Sequence, residues 1–593
     1  MISPPHDAAS TDLDAWRALA LRELRGAPLD RLTSRGVDGL DLAPLYVDAP
    51  LRAPVPRAAR GFLTIGALDL PLADNLATAT EAEHAGGADG VAIASEDADA
   101  PTLARLGATP VGLVVATSGT LTGALRLAGH LHPSTRLMAG LDATAWPTRW
   151  ADGDAKSAEL AYLRDEAGPG AVLLPLSRWH EAGADAATEL ALGLAALAGA
   201  VRALGETGMT TEDAVNRIAV RVSVGSRYLT QLAKLRAWRR LAAGMLSHAG
   251  LAPTVQPRVW AETSRRALSR RDPWVNLLRG TAAAFAAVAG GADLVTVTPF
   301  DAALGRSDAF ARRLARNVLH LLRDESGLAD SHDPAAGAFA LETWTFALQQ
   351  RAWALFQQLE AARGAGDAWT PGAPRGLGLL APRAVDLATS WLRSASEARQ
   401  TRLARRQDAL VGVSQYVDFD LTRLARTPAL PPLDAQLGGP RDAACWEAFD
   451  AGPAPKVAVL TAGPLAEHQA RSGWVADLLR VRGAEVHTVH AGDEPDEADL
   501  AAAVVAIANF GVQTTVIAAA DARHADLVPR LAPRLVAEAR CEVILAGRAE
   551  ADPDPLAAFG VNRRVWAGLD LVAWLRDALP RDVMATPAEE NAR

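Results

Sequence analysis

Few side chains in this sequence have the type and spacing of a reactive group. His332 lies beside Asp333 in the segment SHDPAAG, and such a pair can act as acid and base, although Asp333-Pro334 also favours a tight turn. Arginines are concentrated in SRRALSRRDPW and RRLARNVLHLLRD, which could bind an anion or simply form solvated helix faces. The two cysteines, Cys445 and Cys541, are too few for a disulfide framework or a zinc site by themselves. No metal site is therefore expected, and any other site must be assembled by the fold.

The composition is that of a large globular protein. The chain has 593 residues, of which 49% are hydrophobic and 22% charged, a length that predicts two or three domains. The net charge of -9 is dispersed without a basic block, which argues against nucleic acid or an anionic membrane as a partner. The start, MISPPHDAASTDLD, has no apolar targeting segment, and Ala-rich runs are interrupted before membrane-spanning length. With so few cysteines, we expect a cytoplasmic protein.

Two domains are predicted after an N-terminal arm. Residues 1–60 form the arm, where Trp16, Leu19, Leu21 and Leu24 make an apolar stripe on a helix. Short apolar runs then alternate with helical stretches, and there are eight such runs: FLTIG (62–66), DGVAIAS (89–95), VGLVVAT (111–117), TRLMAGLD (135–142), GAVLLPL (170–176), RIAVRVSV (217–224), TVQPRVW (254–260) and ADLVTVT (292–298). Eight such units indicate a parallel, closed (β/α)8 TIM barrel, which with its trailing helices extends over residues 61–426.

The densest Pro/Gly segment, residues 427–455, is the predicted linker. From Lys456 to residue 580, five apolar runs again alternate with helices: KVAVLTAG, AEVHTVHA, TTVIAAA, CEVILAG and RVWAGL. This pattern predicts a doubly wound α/β domain of the flavodoxin-like kind, followed by a tail over residues 581–593.

Two long motifs identify a family resemblance. The run SRRDPWVNLLRGTAAAFAAVAGGADLVTVTPFD (269–301) resembles the DP-x-x-N-x-x-R and GGA segment of the methylmalonyl-CoA mutase family. The matching residues are Asp272, Pro273, Asn276, Arg279, Gly290, Gly291, Ala292, Phe300 and Asp301. A second run, residues 313–339, resembles another family segment through Arg316, Asn317, Glu325, Ser326, Asp333, Pro334 and Gly337. The resemblance implies a barrel and a cobalamin-binding-type domain, in a family that rearranges acyl-CoA esters with adenosylcobalamin.

The barrel positions that are catalytic in this family have changed. Active members have a His-x-Gln-Thr-Ser-Gly-Trp loop, whose histidine hydrogen-bonds the substrate thioester. On the match to Thr263 and Ser264, the histidine position is Trp260 and the glutamine position is Glu262. Trp260 is expected to fill the barrel from a strand end. The tyrosine-bearing loop that precedes the first strand in active members is missing as well. The resemblance therefore predicts no catalytic residues here.

The cobalamin-type domain has changed in the same way. The family motif Asp-x-His-x-x-Gly provides a cobalt ligand, its orienting carboxylate and room for the nucleotide tail. Here Ala466 replaces the aspartate, His468 is kept, and Arg471 replaces the glycine. Further on, Ala518 and Ala546 replace small or hydroxyl-bearing family residues that border the tail. His468 is thus a weak candidate for a cobalt ligand, with a surface or capping role as the alternative.

These changes make the chain most similar to the small, non-catalytic subunit of heterodimeric bacterial methylmalonyl-CoA mutases. This implies a large catalytic subunit as partner, adenosylcobalamin bound by that partner, and an acyl-CoA substrate for the complex. Two alternatives stay open. The chain could be a mutase for another acyl-CoA, with Trp260 and Glu262 in new roles, or a stand-alone binding or regulatory protein that uses its flavodoxin-like domain.

Overall fold

The computed structural model describes residues 8–36, 40–50, 54–55, 61–363, 370–417, 439–449, 454–549 and 554–579, except for residues 71, 73, 95, 96, 118, 372, 374 and 375. The chain divides into two compact units. Unit 1 comprises Met1–Leu268, Asn276–Ser396 and Ala425–Pro440, and unit 2 comprises Ser269–Val275, Glu397–Leu424 and Arg441–Arg593.

Unit 1 is built on a parallel sheet of nine strands. They are β3 (Leu63–Ala67), β4 (Gly90–Ile93), β5 (Leu113–Ala116), β6 (Arg136–Met138), β7 (Leu141–Asp142), β8 (Val172–Pro175), β9 (Ile218–Val224), β10 (Arg258–Thr263) and β11 (Leu294–Thr296). The order is β6-β5-β4-β3-β11-β10-β9-β8-β7. Only residues 139 and 140 separate the two end strands, and Gly119 beyond β5 bridges to Leu141 in β7. The sheet therefore curls on itself into a TIM-barrel-like domain, and each of the eight predicted runs contains strand residues.

Helices alternate with these strands and continue after them. They are α2 (Leu76–Ala85), α3 (Ala100–Ala108), α4 (Leu121–Ala128), α5 (Trp146–Arg149), α6 (Gly153–Asp165), α7 (Leu176–Glu181), α8 (Ala186–Gly205), α9 (Thr211–Arg217), α10 (Tyr228–Ser247), α11 (Val275–Ala289), α12 (Ala309–His320), α13 (Phe339–Arg363) and α14 (Pro382–Ala404). Side-chain N-caps set several of the starts, as where Asp185 accepts a hydrogen bond from the Thr188 amide at the start of α8. Helices on the outside bury the apolar outer face of the strands, which explains why these strands are apolar on both faces.

One described helix, α8, is long and apolar enough to cross a membrane. The sequence-based expectation that apolar runs stop short of this length was therefore wrong for α8. In the structure 83% of its most apolar window is buried inside the protein, so packing against unit 1 accounts for its apolar character.

The N-terminal arm contacts unit 1 in only some of its residues. In helix α1 (Ala8–Glu23) Leu19 is 48% and Leu21 41% exposed, whereas Trp16 and Leu24 are half-buried, so the stripe is only partly covered within this chain. A short antiparallel pair follows, β1 (Ser34–Arg35) with β2 (Asp41–Leu42). Beyond it, the Tyr46 hydroxyl accepts a hydrogen bond from the Trp344 indole at 3.1 Å. The second half of the arm thus has a contact with its own chain, whereas two apolar side chains of the first half, Leu19 and Leu21, are exposed.

Unit 2 contains a five-stranded parallel sheet. Its strands are β12 (Lys456–Thr461), β13 (Glu485–His490), β14 (Thr514–Ile517), β15 (Glu542–Ala546) and β16 (Val561–Val565). Its helices are α15 (Ala444–Glu447), α16 (Leu465–Val481), α17 (Glu497–Phe510), α18 (Asp521–Ala537) and α19 (Leu571–Ala578). The strand order β13-β12-β14-β15-β16 is the order of flavodoxin-like sheets, in which the crevice for a ligand lies beyond the carboxyl ends of the strands.

Part of the second half of the predicted linker is folded into unit 2. Residues 441–449 belong to unit 2, where the Trp446 side chain is fully buried. The Arg441 guanidinium donates to the Glu447 carboxylate at 2.7 Å, and Arg271 donates to the Trp446 carbonyl at 2.9 Å. A buried ion pair and a buried indole fix this segment, although the Pro/Gly content of residues 427–455 as a whole suggested a linker. Residues 427–438 and the predicted tail lie outside the described residues.

Candidate functional sites

Trp260 lies in the interior of the barrel. It is the third residue of β10 and not at a strand end, as the sequence had suggested, and its side chain is fully buried. Its indole N–H donates to the Thr296 hydroxyl at 2.9 Å. It packs with Met138, Leu173 and other inward residues of the strands, so it fills the barrel as expected for an inward strand residue.

A set of four buried charges lies next to Trp260 at the carboxyl ends of the strands. We call Asp69, Arg221, Glu262 and Arg265 the barrel charge cluster. The Arg221 guanidinium donates to the carboxylates of Glu262 and, at 2.7 Å, Asp69. Arg265 donates to Asp69 at 2.9 Å and lies 3.7 Å from Glu262. The Arg221 guanidinium also stacks over the Trp260 ring, 4.4 Å from its centroid.

Within this cluster, the surroundings of Asp69 and Arg221 favour their charged forms. Burial by itself raises the pKa of Asp69, but Arg265 and Arg221 outweigh this and hold that pKa below its ordinary value. Burial acts to lower the pKa of Arg221, and the two carboxylates more than offset this, so its pKa lies above the ordinary value. Glu262 therefore acts here as the partner of an arginine and not as a free acid or base.

A further layer of buried acids lies beneath the cluster. The Glu181 carboxylate accepts hydrogen bonds from the backbone amides of Arg265 (3.2 Å) and Arg266 (2.7 Å), and burial raises its pKa. Glu189 accepts a hydrogen bond from the Lys234 ammonium at 2.8 Å, and burial raises the pKa of Glu189 to about 7. Lys234 also donates to the Ser223 carbonyl on β9 at 2.7 Å. These groups tie α7 to the loop after β10, and α8 and α10 to β9.

The family motif in the sequence points to Trp260 and Glu262 as barrel residues, but it gives no indication of Asp69 or Arg221. Arg221 had a visible signal, because it is the only charged residue inside the apolar run IAVRVSV and faces inward with Ala219. Asp69 had none, since its partners are 152 and 196 residues away along the chain.

His468, on α16 of unit 2, is buried and has no carboxylate beside it at the position that the family motif assigns. Its Nδ1 is 3.5 Å from the Ser472 hydroxyl, and its ring centroid is 5.3 Å from that of His490. Burial and the neighbouring His490 lower the pKa of His468. His490 contacts the Thr461 hydroxyl at 3.1 Å instead of orienting His468.

Arg471 occupies the carboxyl edge of the unit 2 sheet. Its guanidinium donates to the carbonyls of Ala519 (2.6 Å) and Ala546 (2.9 Å), and to the Asp521 carboxylate at 2.7 Å. These carbonyls lie where β14 and β15 end, so one side chain links the two strand ends that border the crevice. A glycine at this position would leave that space open.

The opposite side of the crevice is also bordered by an arginine. Arg523 donates to Glu467 at 2.8 Å and to Glu494 at 2.9 Å. Gly463, in the loop after β12, has a φ of +93°, and a Cβ there would lie 2.5 Å from the Arg523 side chain. The loop thus passes directly beneath this side chain, and only glycine fits.

The remaining candidates from the sequence are structural. Asp333 accepts hydrogen bonds from the Arg236 guanidinium and, at 3.0 Å, from the Val55 amide, so it is not paired with His332 as an acid and base. Arg312 and Arg316 are buried beside Glu83 instead of being solvated, with Arg316 donating to it at 2.9 Å. Among the described residues no group of three or more His, Cys, Asp or Glu side chains could hold a metal ion.

The fold and these sites define an α/β protein with a TIM-barrel-like unit and a flavodoxin-like unit, each closed by arginine contacts. Residues 176–429 match the family model of methylmalonyl-CoA mutase. The chain is 36% identical over 441 residues to the methylmalonyl-CoA mutase small subunit of Streptomyces virginiae, which covers 72% of this chain and 66% of that protein. It belongs to the methylmalonyl-CoA mutase family, a family of isomerases, which confirms the resemblance drawn from its motifs.

Two further relatives are from the same family. The probable methylmalonyl-CoA mutase small subunit of Mycobacterium tuberculosis (strain ATCC 25618 / H37Rv) is 34% identical over 431 residues, 70% of this chain and 65% of that protein. The methylmalonyl-CoA mutase small subunit of Propionibacterium freudenreichii subsp. shermanii is 29% identical over 420 residues, with shares of 69% and 62%. The matches span slightly less than two thirds of the length of these relatives.

Proposed function

We propose that this chain is the small, non-catalytic subunit of an adenosylcobalamin-dependent methylmalonyl-CoA mutase, which interconverts methylmalonyl-CoA and succinyl-CoA. One observation carries the proposal. The barrel charge cluster and Trp260 fill the interior at the carboxyl ends of the strands, where an acyl thioester would have to lie. A buried arginine held by two carboxylates cannot leave this space without exposing unpaired charges, which is costly. The names of the relatives support a small subunit.

Adenosylcobalamin does not fit the residues of unit 2, and we assign it to the partner. Arg471 bridges the Ala519 and Ala546 carbonyls at the crevice, and His468 has no carboxylate to fix the tautomer of its imidazole. When bound to the partner, the cofactor supplies the radical chemistry of the rearrangement. In this chain, no residue among those described is assigned a role in that chemistry.

We assign the binding of the large subunit to the first half of the arm. Leu19 and Leu21 of α1 are exposed, whereas Tyr46 is already bound to Trp344. Burial of such apolar side chains is the usual driving force of subunit association. Deleting residues 1–35 should therefore leave the secondary structure unchanged by circular dichroism and weaken assembly. Equally tight pairing of the truncated chain would refute this role, and unfolding would show that the arm packs on its own chain.

The function is tested by expressing the chain with and without a candidate large subunit. We expect the isolated chain to show no cobalamin absorbance after incubation with the cofactor and no turnover of methylmalonyl-CoA. Cobalamin absorbance and turnover of methylmalonyl-CoA should both appear when the large subunit is present. Turnover by this chain alone would show instead a mutase in its own right, and failure to pair with any large subunit would favour the stand-alone binding protein. We place the complex in the cytoplasm, on the low cysteine content of the chain.

A further inference from the structure

The loop that follows β10, residues 264–268, is held by the end of helix α7. We call it the β10 loop, and it belongs to unit 1 together with α7. The Glu181 carboxylate accepts hydrogen bonds from the backbone amides of Arg265 and Arg266. The Arg266 guanidinium donates in turn to the His180 carbonyl. Because Arg265 also belongs to the barrel charge cluster, the attachment of the loop to α7 fixes one cation of that cluster.

The imidazole of His180 lies buried between an acid and a base. Its Nδ1 is 3.2 Å from the Glu189 carboxylate of α8, and its Nε2 is 3.3 Å from the Arg266 guanidinium. A guanidinium can only donate, so Nε2 must accept, and the hydrogen of the neutral ring must be on Nδ1, where it is donated to Glu189. The contacts on the two sides of the ring therefore select one protonation state.

A second proton on this ring conflicts with Arg266. It turns Nε2 into a donor, so that an imidazolium N–H would face a guanidinium N–H, with two positive charges in a buried place. The conflict is relieved when Arg266 moves away, and Arg266 is also a point of attachment of the β10 loop. A histidine in solvent takes up this proton with a pKa of about 6.5. The attachment of the loop is therefore sensitive to pH just below neutrality.

Charged groups on the neighbouring elements act on the same equilibrium. The Glu189 oxygen that faces the ring, Oε2, also accepts a hydrogen bond from the Lys234 ammonium of α10 at 2.8 Å, so its charge is shared with another cation. Glu181 is close enough to Glu262 of β10 for their charges to repel. Burial raises the pKa of Glu181, so protonation of this carboxyl by itself favours the attached loop in acid and works against the effect of His180.

We infer that His180 is a pH-sensitive latch on the β10 loop. The neutral ring holds Arg266, and with it the loop, on α7, whereas protonation of the ring releases Arg266 and lets the loop open. Opening takes Arg265 away from Asp69, which leaves the barrel charge cluster with a single arginine between its two acids. The inference rests on contacts within unit 1 and does not depend on the proposed subunit role.

The test is hydrogen exchange of the full chain, followed by mass spectrometry at pH 5.5 and 7.5. The backbone amides of residues 264–268 report the opening of the loop once each rate is divided by that of an unstructured peptide at the same pH. The reference is His180→Gln, whose amide oxygen can still accept from Arg266 but whose side chain does not titrate. The ratio of loop opening in the wild type to that in His180→Gln should rise about tenfold from pH 7.5 to 5.5, for a released ring with a pKa of about 6.5. Glu181 is present in both proteins, so its opposing contribution cancels in this ratio.

A second variant changes the same contact from its other side. In Arg266→Gln the amide can turn its oxygen towards an imidazolium, so the conflict is removed and opening relative to His180→Gln should no longer rise about tenfold in acid. The loop should open more often at both pH values, because the guanidinium contact with the His180 carbonyl is lost. The matched control is His248→Gln, an exposed histidine just after α10 that contacts the Gly244 carbonyl, which should keep the pH dependence of the wild type.

Three outcomes would overturn the inference: a constant ratio of wild type to His180→Gln, a tenfold rise that persists in Arg266→Gln, or a rise that is lost in His248→Gln. Circular dichroism shows whether each variant is folded. If one of the two latch variants does not fold, the other decides, because the conflict requires both side chains. Assembly with a large subunit plays no part in the measurement, so its failure would contradict only the proposed function.

Discussion

In both units arginine side chains occupy the carboxyl ends of the strands, but they are held there by different means. In the barrel, Arg221 lies between the carboxylates of Asp69 and Glu262, all buried. In unit 2, Arg471 is partly exposed and bonds mainly to the carbonyls of Ala519 and Ala546. The barrel closure consists of interdependent buried charges, and the closure of unit 2 consists of one side chain on main-chain acceptors.

This difference predicts unequal consequences of substitution. Removing one member of a buried charge set leaves its partners as uncompensated buried charges, which is strongly destabilising. Removing an arginine at a sheet edge only returns carbonyls to solvent. Opening the barrel interior by substitution should therefore cost more stability than opening the crevice of unit 2.

The largest effect is expected for Arg221→Ala. It leaves Glu262 and Asp69 facing each other with only Arg265 to compensate, and we expect a loss of about 3–5 kcal/mol in the free energy of unfolding. Urea denaturation measures it. The double variant Arg221→Met, Glu262→Met should recover part of this loss, because it removes the unpaired charge as well. A single variant as stable as the wild type would contradict the account of the cluster.

A smaller effect concerns pH and Glu189. Its folded-state pKa of about 7 lies above the ordinary value of 4.5, so the folded state holds this proton more tightly than the unfolded chain. Glu189 contributes stability that is fully present below pH 4.5 and is lost as the pH rises to about 7. Relative to Glu189→Gln, the wild type should lose up to about 1.4 kcal/mol per pH unit in this window.

Denaturation curves of both proteins at pH 5, 6, 7 and 8 measure this difference. The quantity to compare is the slope, against pH, of the difference between the two free energies of unfolding. The absolute difference is not suitable, because Glu189→Gln also removes the partner of Lys234 and lowers stability at every pH. Parallel pH profiles would show that Glu189 ionises in the folded protein as it does in the unfolded chain.

Arg471→Ala should cost less, about 1–2 kcal/mol, because the side chain donates to main-chain carbonyls and its ion pair with Asp521 is exposed. The same denaturation assay as for Arg221→Ala allows direct comparison. A loss equal to that of Arg221→Ala would remove the distinction between the two closures. Turnover of the complex should be unchanged.

The sequence predicted the barrel strands well, because strands that are buried on both faces give unbroken apolar runs. It placed Trp260 and Glu262 in the barrel only through the resemblance to a family motif. It missed the pairing of Glu262 with Arg221 and Asp69, because contacts between strands far apart in sequence leave no local pattern. The Pro/Gly content of residues 427–455 suggested a linker, but the buried Trp446 within it shows that composition alone does not identify one.

The smallest effect is expected for His468→Ala. His468 is the one residue of the family's cobalamin motif kept in this chain, yet it lies buried beside His490 with Ser472 as its nearest polar partner. An imidazole that ligates cobalt needs a partner to hold its tautomer, and Ala466 offers none. We therefore expect turnover of the assembled complex to stay within about twofold of the wild type. If the isolated chain instead showed a cobalamin spectrum that His468→Ala abolished, unit 2 would have to be considered a working cofactor site, and the closure by Arg471 would be incomplete.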